Sequence, residues 1–143
     1  MRDTSLAAFL DGAEPVILIE IESVKGSSPR EAGTFMLVSK DRIWQTIGGG
    51  QFEYMAIDHA RAMLSGKTVA DSMDIPLGPE IGQCCGGRTL LRFTEVNDTV
   101  AAELKARFEQ ENRAQPSVFI FGAGHVGKAL AQAFSLLPVS TSI

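Results

Sequence analysis

Residues 16–38 read VILIEIESVKGSSPREAGTFMLV, and the fold turns on how this stretch is divided. Its opening is β-branched and apolar, with Ile17, Ile19 and Ile21 recurring on one face, which predicts a strand over residues 16–24. The segment KGSSPREAG is polar and punctuated by glycine and proline, so residues 25–33 form a loop. A second strand is expected over residues 34–38. Ser39-Lys40-Asp41 then makes a tight turn into a third over residues 43–47, and the two read as a hairpin.

Working outward from that core, Asp3 or Thr4 can cap a short helix reaching Leu10, with Leu6, Phe9 and Leu10 on one side. On the other side, Gly48-Gly49-Gly50 leads into a helix over residues 51–65. Phe52, Met55, Ala56, His59 and Met63 recur there at helical spacing, and Gly66 ends it as a C′ glycine. A strand over residues 69–75, a glycine-rich loop over residues 77–87 (LGPEIGQCCGG) and a strand over residues 89–95 follow. Thr89, Leu91 and Phe93 share a face of the last. Residues 98–112 form an amphipathic helix capped by Asn97 or Asp98. After a linker come a buried-type strand over residues 118–121, the turn Gly122-Ala123-Gly124-His125-Val126-Gly127 and a helix to about Leu137. The expected fold is α+β: an N-terminal domain, residues 1–112, with a mixed or antiparallel sheet and glycine-rich loops. Residues 113–143 then supply the first strand, turn and helix of an incomplete Rossmann-like α/β unit.

The chain has 143 residues and a net charge of −4, with 45% hydrophobic and 21% charged residues. A mildly acidic chain has no general attraction for nucleic acid or an anionic membrane, so any anion must be held locally by backbone N–H groups and one or two basic side chains. No segment approaches the roughly 18–20 apolar residues of a membrane span, and no signal peptide is expected behind Met1. The two cysteines, Cys84 and Cys85, are adjacent. Adjacent cysteines rarely bridge, because the small ring strains the intervening peptide, so a reducing cytosol is the expected setting.

Three loops can do chemistry. In Gly26-Ser27-Ser28-Pro29-Arg30-Glu31, small hydroxyls stand beside one arginine, a combination that cradles phosphate or carboxylate; a polar connection with Pro29 fixing a turn is the plainer alternative. Gly48-Gly49-Gly50-Gln51 lies at a strand-to-helix junction, where a ligand can approach bare backbone and helix N–H groups. A tight turn explains it equally, and Glu53 in the first helical turn suits the helix dipole or simply starts the helix. Gln83-Cys84-Cys85-Gly86-Gly87 places two thiols on an open backbone, where a thiolate can meet a soft metal or a sulfur ligand. No second cluster or His pair completes a zinc site; the alternative is a cysteine acting as a small buried hydrophobe.

These loops, in this order, resemble the XdhC/CoxI family. The resemblance rests on residues 26–33 (GSSPREAG), 46–53 (TIGGGQFE), 77–79 with 83–87 (LGP and QCCGG) and 118–127 (VFIFGAGHVG). It implies a cytoplasmic, non-enzymatic carrier that binds molybdenum cofactor, protects it while a cysteine desulfurase installs the terminal sulfur, and delivers it to a xanthine dehydrogenase-type apoenzyme. The site residues expected on that basis are Ser27, Ser28, Arg30, Gly48, Gly49, Gly50, Gln51, Gln83, Cys84, Cys85, Gly86 and Gly87. Loop chemistry, and not the resemblance, would set the cofactor's phosphate at the helix start near Arg30 and the serine hydroxyls, with Cys84 or Cys85 facing the metal or its sulfur.

Family members continue past the glycine turn into a complete Rossmann domain, of which residues 113–143 would be a truncated start. A dinucleotide site needs an acid about 20 residues past the glycines, and residues 112–143 contain neither Asp nor Glu. NAD(P) binding is therefore not expected, which weighs against the rival reading of an NAD(P)-dependent oxidoreductase. A hydrolase lacks its nucleophile elbow. A structural or interaction domain whose glycine loops are tight turns remains open. His59 is read as a helix-face residue, His125 as packing against the helix start, Glu20, Glu22 and Asp74 as solvated acids, and Trp44 as a sheet-packing side chain. The helix bearing Leu130, Ala133, Phe134 and Leu137 has an apolar face without partners, which should associate with another copy or lie against the first domain, and a homodimer is expected.

Overall fold

The computed structural model describes residues 5–82 and 84–143, which fall into two units divided after Ala101. Asp3 and Thr4, expected to cap the first helix, and Gln83 lie outside the described residues. Helix α1 (Leu6–Leu10) is capped by Ser5, whose side chain accepts from the Ala8 N–H at 3.2 Å.

The first unit is built on β1 (Ile17–Lys25), β2 (Phe35–Val38), β3 (Ile43–Trp44), β4 (Ser72–Pro76) and β5 (Arg88–Glu95). They form one sheet in the order β3-β2-β1-β5-β4, every neighbouring pair antiparallel. The expected α+β class with an antiparallel sheet is what the structure has. Helix α2 (Gly50–Leu64) packs on one face, where Phe52, Ala56, Ile57 and Ala60 bury themselves against Ile17, Ile19, Ile21, Met36, Leu91 and Phe93. Each of the larger side chains removed from water contributes roughly 1.5–3 kcal/mol, so this layer fixes where the strand ends and their loops stand.

Part of the other face is apolar as well. Leu18 pairs with Leu37 and Leu37 with Trp44, and Trp44 lies against Phe35 at 5.8 Å between ring centroids, the sheet-packing role expected of it. The rest of that face is polar. Arg92 pairs with Glu22 at 2.6 Å and Arg88 with Asp74 at 2.7 Å; these hydrogen bonds hold both guanidinium groups above their ordinary range. The acids read as simply solvated are thus partnered, Glu20 included, because the antiparallel register sets arginines of β5 beside acids of both neighbouring strands.

Two strands of the sheet differ from the sequence expectation, as does β6 of the second unit, which spans Ser117–Phe119 and leaves Phe119 and Phe121 exposed where a buried strand over residues 118–121 is expected. Strand β3 stops at Trp44 because Gln45 takes a left-handed φ of 63°, and the chain then turns Ile47 fully into the core. Strand β4 starts only at Ser72, with Val69 exposed ahead of it.

Helix α3 (Asp98–Arg113) begins with Asn97 accepting from the Val100 N–H at 2.9 Å. The second unit continues with β6 (Ser117–Phe119), α4 (His125–Phe134) and β7 (Ser140–Ser142). β7, not expected from sequence, pairs parallel with β6, so the unit holds one strand–helix–strand element. Gly127 is buried, and any Cβ on it would collide with the Gly122 carbonyl oxygen, the close helix-to-turn packing for which the last glycine of GxGxxG is required. Among the described residues no helix is long and apolar enough to cross a membrane.

Candidate functional site

The three loops singled out from sequence meet at one end of the first unit, where β1 leaves the sheet, β5 enters it and α2 begins. The Gly26–Glu31 loop is the hub. A Cβ on Gly87 would collide with the Ser27 carbonyl and lie 2.9 Å from the Lys25 oxygen, and one on Gly26 would sit 3.3 Å from Gly87 Cα. On its other side, a Cβ on Gly48 would lie 2.8 Å from Pro29 Cγ and 3.6 Å from Arg30 Cγ. Backbone therefore packs on backbone at the first contact and on a proline ring at the second, distances that only glycine allows.

The triple glycine has a second cause. Gly48, Gly49 and Gly50 adopt φ values of 133°, 76° and 67° in succession, a run that side chains with a Cβ resist at about 1–2 kcal/mol per residue. This turn is closed by Glu53, one turn into α2. Its Oε2 accepts from the Ile47 N–H at 3.0 Å, the Gly49 N–H at 3.1 Å and the Thr46 hydroxyl, and Thr46 Oγ1 in turn accepts from the Gly48 N–H at 3.1 Å. A carboxylate of the protein itself thus fills the amide nest at the head of the turn. From sequence Glu53 reads as a helix-start residue or one suited to the dipole; an acid one turn beyond a glycine turn is the signal for a carboxylate reaching back to the turn's amides.

The loop from β4 to β5 is tied by a pair of backbone bonds, Leu77 N–H to Gly87 O and Gly86 N–H to Leu77 O, each 2.8 Å, with Leu77 fully buried as its anchor. Cys84 is exposed, whereas Cys85 is half-buried and packs against the core. The two thiols are therefore not equivalent. Thr89, buried at the start of β5, lies 3.5 Å from the Ser28 hydroxyl; this link between core and hub had no sequence signal beyond alternation along the strand. Ser27 and Arg30 are exposed, and Arg30 has no ion-pair or hydrogen-bond partner among the described residues, although Arg42, Arg88 and Arg92 all pair with carboxylates. Among the described residues no cluster of His, Cys, Asp or Glu is grouped to hold a metal ion. His59 donates its Nε2–H to the Ala70 carbonyl oxygen at 2.8 Å and its ring centroid lies 4.5 Å from that of Phe93. His125 opens α4 in the second unit.

An antiparallel α+β domain whose glycine loops gather at one pole around a free arginine and an exposed thiol is the class this chain falls in. The model of the XdhC and CoxI family matches residues 9–72. That match takes in the blocks at 26–33 and 46–53 and stops short of the cysteine loop. The chain is 25% identical over 131 residues to the uncharacterized protein YqeB of Escherichia coli strain K12, a match covering 86% of this chain and 20% of that protein. Among solved structures, a xanthine dehydrogenase from Bacillus halodurans superposes with a TM-score of 0.60 at 19% identity, over 77% of this chain and 34% of that one. This second likeness is one of fold. The chain spans about a fifth of the curated relative's length and about a third of the solved one.

Proposed function

We propose that this chain acts as an accessory protein for xanthine dehydrogenase-type molybdenum enzymes, binding molybdenum cofactor at the loop pole and delivering it without catalysing a reaction itself. The convergence of all three loops on Ser27, Pro29 and Arg30 carries the reading, and the family match at residues 9–72 supports it. The surroundings are a reducing cytosol, the further partner a cysteine desulfurase, and the assembly a homodimer.

The residues present fit such a cofactor in part. Its phosphate needs cationic and N–H partners, and the unpaired Arg30 with the Ser27 and Ser28 hydroxyls suits it. The amides of Ile47 and Gly49 do not, since Glu53 already holds them and its charge repels a second anion. The Gly48–Gln51 turn then serves by bare backbone approach and through the Gly50 and Gln51 amides. Cys84, exposed on a backbone kept open by Gly86 and Gly87, is the thiol suited to the cofactor's metal or sulfur; Cys85 mainly anchors the loop. When bound, the cofactor supplies the metal centre that receives the terminal sulfur.

Anaerobic titration with purified molybdenum cofactor tests this. Saturable binding is expected, weakened about tenfold by Arg30→Ala and by Cys84→Ser, with Cys85→Ser near wild type. Binding that none of these substitutions alters sinks the site assignment. A second reading, an interaction domain whose glycine loops are tight turns, is favoured by the self-sufficient Glu53 cap, and absence of cofactor binding by a folded chain would support it.

A further inference from the structure

At the end of α2 remote from the glycine loops, about 20 Å along the helix by its rise per residue, the first unit holds a cavity of about 330 Å³ lined by Pro15, Lys40, Arg61, Leu64 and Ser65. Pro15 precedes β1, Lys40 sits in the turn between β2 and β3, and the other three close α2. None belongs to the loops already described. The volume lies at the lower end of small-molecule sites.

The charges here are unusual for this chain. Arg42, Arg88, Arg92, Arg107 and Arg113 each pair with a carboxylate, yet Arg61 and Lys40 line one cavity without an ion-pair partner among the described residues. Two like charges on the same hollow repel one another, and an anion between them removes that repulsion. Pro15 and Leu64 contribute apolar wall, and most of the lining is apolar. A neighbouring hollow shares Pro15 and Leu64 and carries Glu95; that acid disfavours a dianion and leaves room for a single negative charge.

We propose that this cavity binds a small monocarboxylate with an apolar body, its carboxylate held by Lys40 and Arg61 and its body against Pro15 and Leu64. Arginine grips a carboxylate with two parallel N–H bonds, which sets the orientation. The site stands apart from the loop pole, so its occupancy leaves the proposed cofactor loops uncovered.

Benzoate, with benzamide as the neutral isostere, is a suitable probe pair for the whole chain, followed by amide chemical shifts. Benzoate is expected to saturate and to move the resonances of Lys40, Arg61, Leu64 and Ser65, with benzamide at least about tenfold weaker. Arg61→Gln and Lys40→Gln should each weaken benzoate about tenfold while leaving the melting temperature near wild type, and added salt should weaken it further. Equal binding of benzoate and benzamide overturns the proposal. So do shifts centred on other residues, or no saturable shift at millimolar probe.

Discussion

Gly86 and Gly87 are neighbours with opposite reasons for lacking a side chain. Gly86 has a φ of 71° with nothing near its missing Cβ, whereas Gly87 needs no unusual φ but lies against the Ser27 and Lys25 carbonyls. Gly86→Ala should cost about 1 kcal/mol. Gly87→Ala must push apart two backbones and should cost more, about 2–3 kcal/mol, an overpacking penalty with no flexible side chain to absorb it. Thermal melts of the two variants decide the matter; if Gly86→Ala is the worse, the close approach of the two loops is not as described. Glu53 lends itself to a parallel test. Glu53→Ala strands the Ile47 and Gly49 amides and should lower stability by about 2–3 kcal/mol in urea unfolding, whereas Glu53→Gln keeps an acceptor oxygen and should lose less. The glycines and thiols of this pole were legible in the sequence because their residue types are rare in combination. Glu53's partners were not, since an acid in a helix's first turn suits the dipole whatever amides it meets. Thr89 was hidden for another reason, a hydroxyl on an inward strand position reading like any other alternating residue.

Among the elements, β1 shows most clearly where pattern reading stops. Its alternation places Ile17, Ile19 and Ile21 on the α2 face, and continued alternation would put Ser23 there next. Instead the β1–β5 register slips between Ile21 and Ser23, so Glu22 is an inserted residue and Val24 returns to the core face opposite the buried Thr89. Strands and their partners can be inferred from composition, but a one-residue bulge conserves composition and so leaves no trace in it. Deletion of Glu22 restores a regular ladder in which Ser23 follows Ile21 opposite Leu90, Val24 still faces the core opposite Thr89 and Lys25 stays outward. That variant is expected to stay within about 1 kcal/mol of wild type in urea unfolding, since its main loss is the surface Glu22–Arg92 pair. A markedly larger loss would show that the bulge itself has a packing role. The same limit explains β7: a three-residue strand of Ser140, Thr141 and Ser142 has neither length nor apolar alternation, and only its parallel partner β6 makes it a strand. The five-stranded sheet itself was readable because each of its longer strands buries one apolar face on a single helix.

For the whole molecule, the two units differ in how well they cover themselves. The first buries a helix and a sheet face against one another. In the second, the short parallel pair β6–β7 and helix α4 leave Phe119, Phe121, Val126, Leu130, Leu136 and Leu137 exposed, Phe121 at 98%. Parallel strands are found with both faces covered, and a two-stranded sheet is marginal in water, so this surface requires an apolar partner. We propose that a second copy supplies it, which makes self-association a property of the second unit alone. Sedimentation velocity at micromolar concentration should then report a dimer, and the double variant Phe121→Lys with Leu130→Lys should return it to monomer without altering the melting of the first unit. A wild-type chain that sediments as a monomer removes the homodimer. A double variant that stays dimeric moves the interface to the first unit, where the exposed edges of β3 and β4 offer unpaired backbone groups as the alternative.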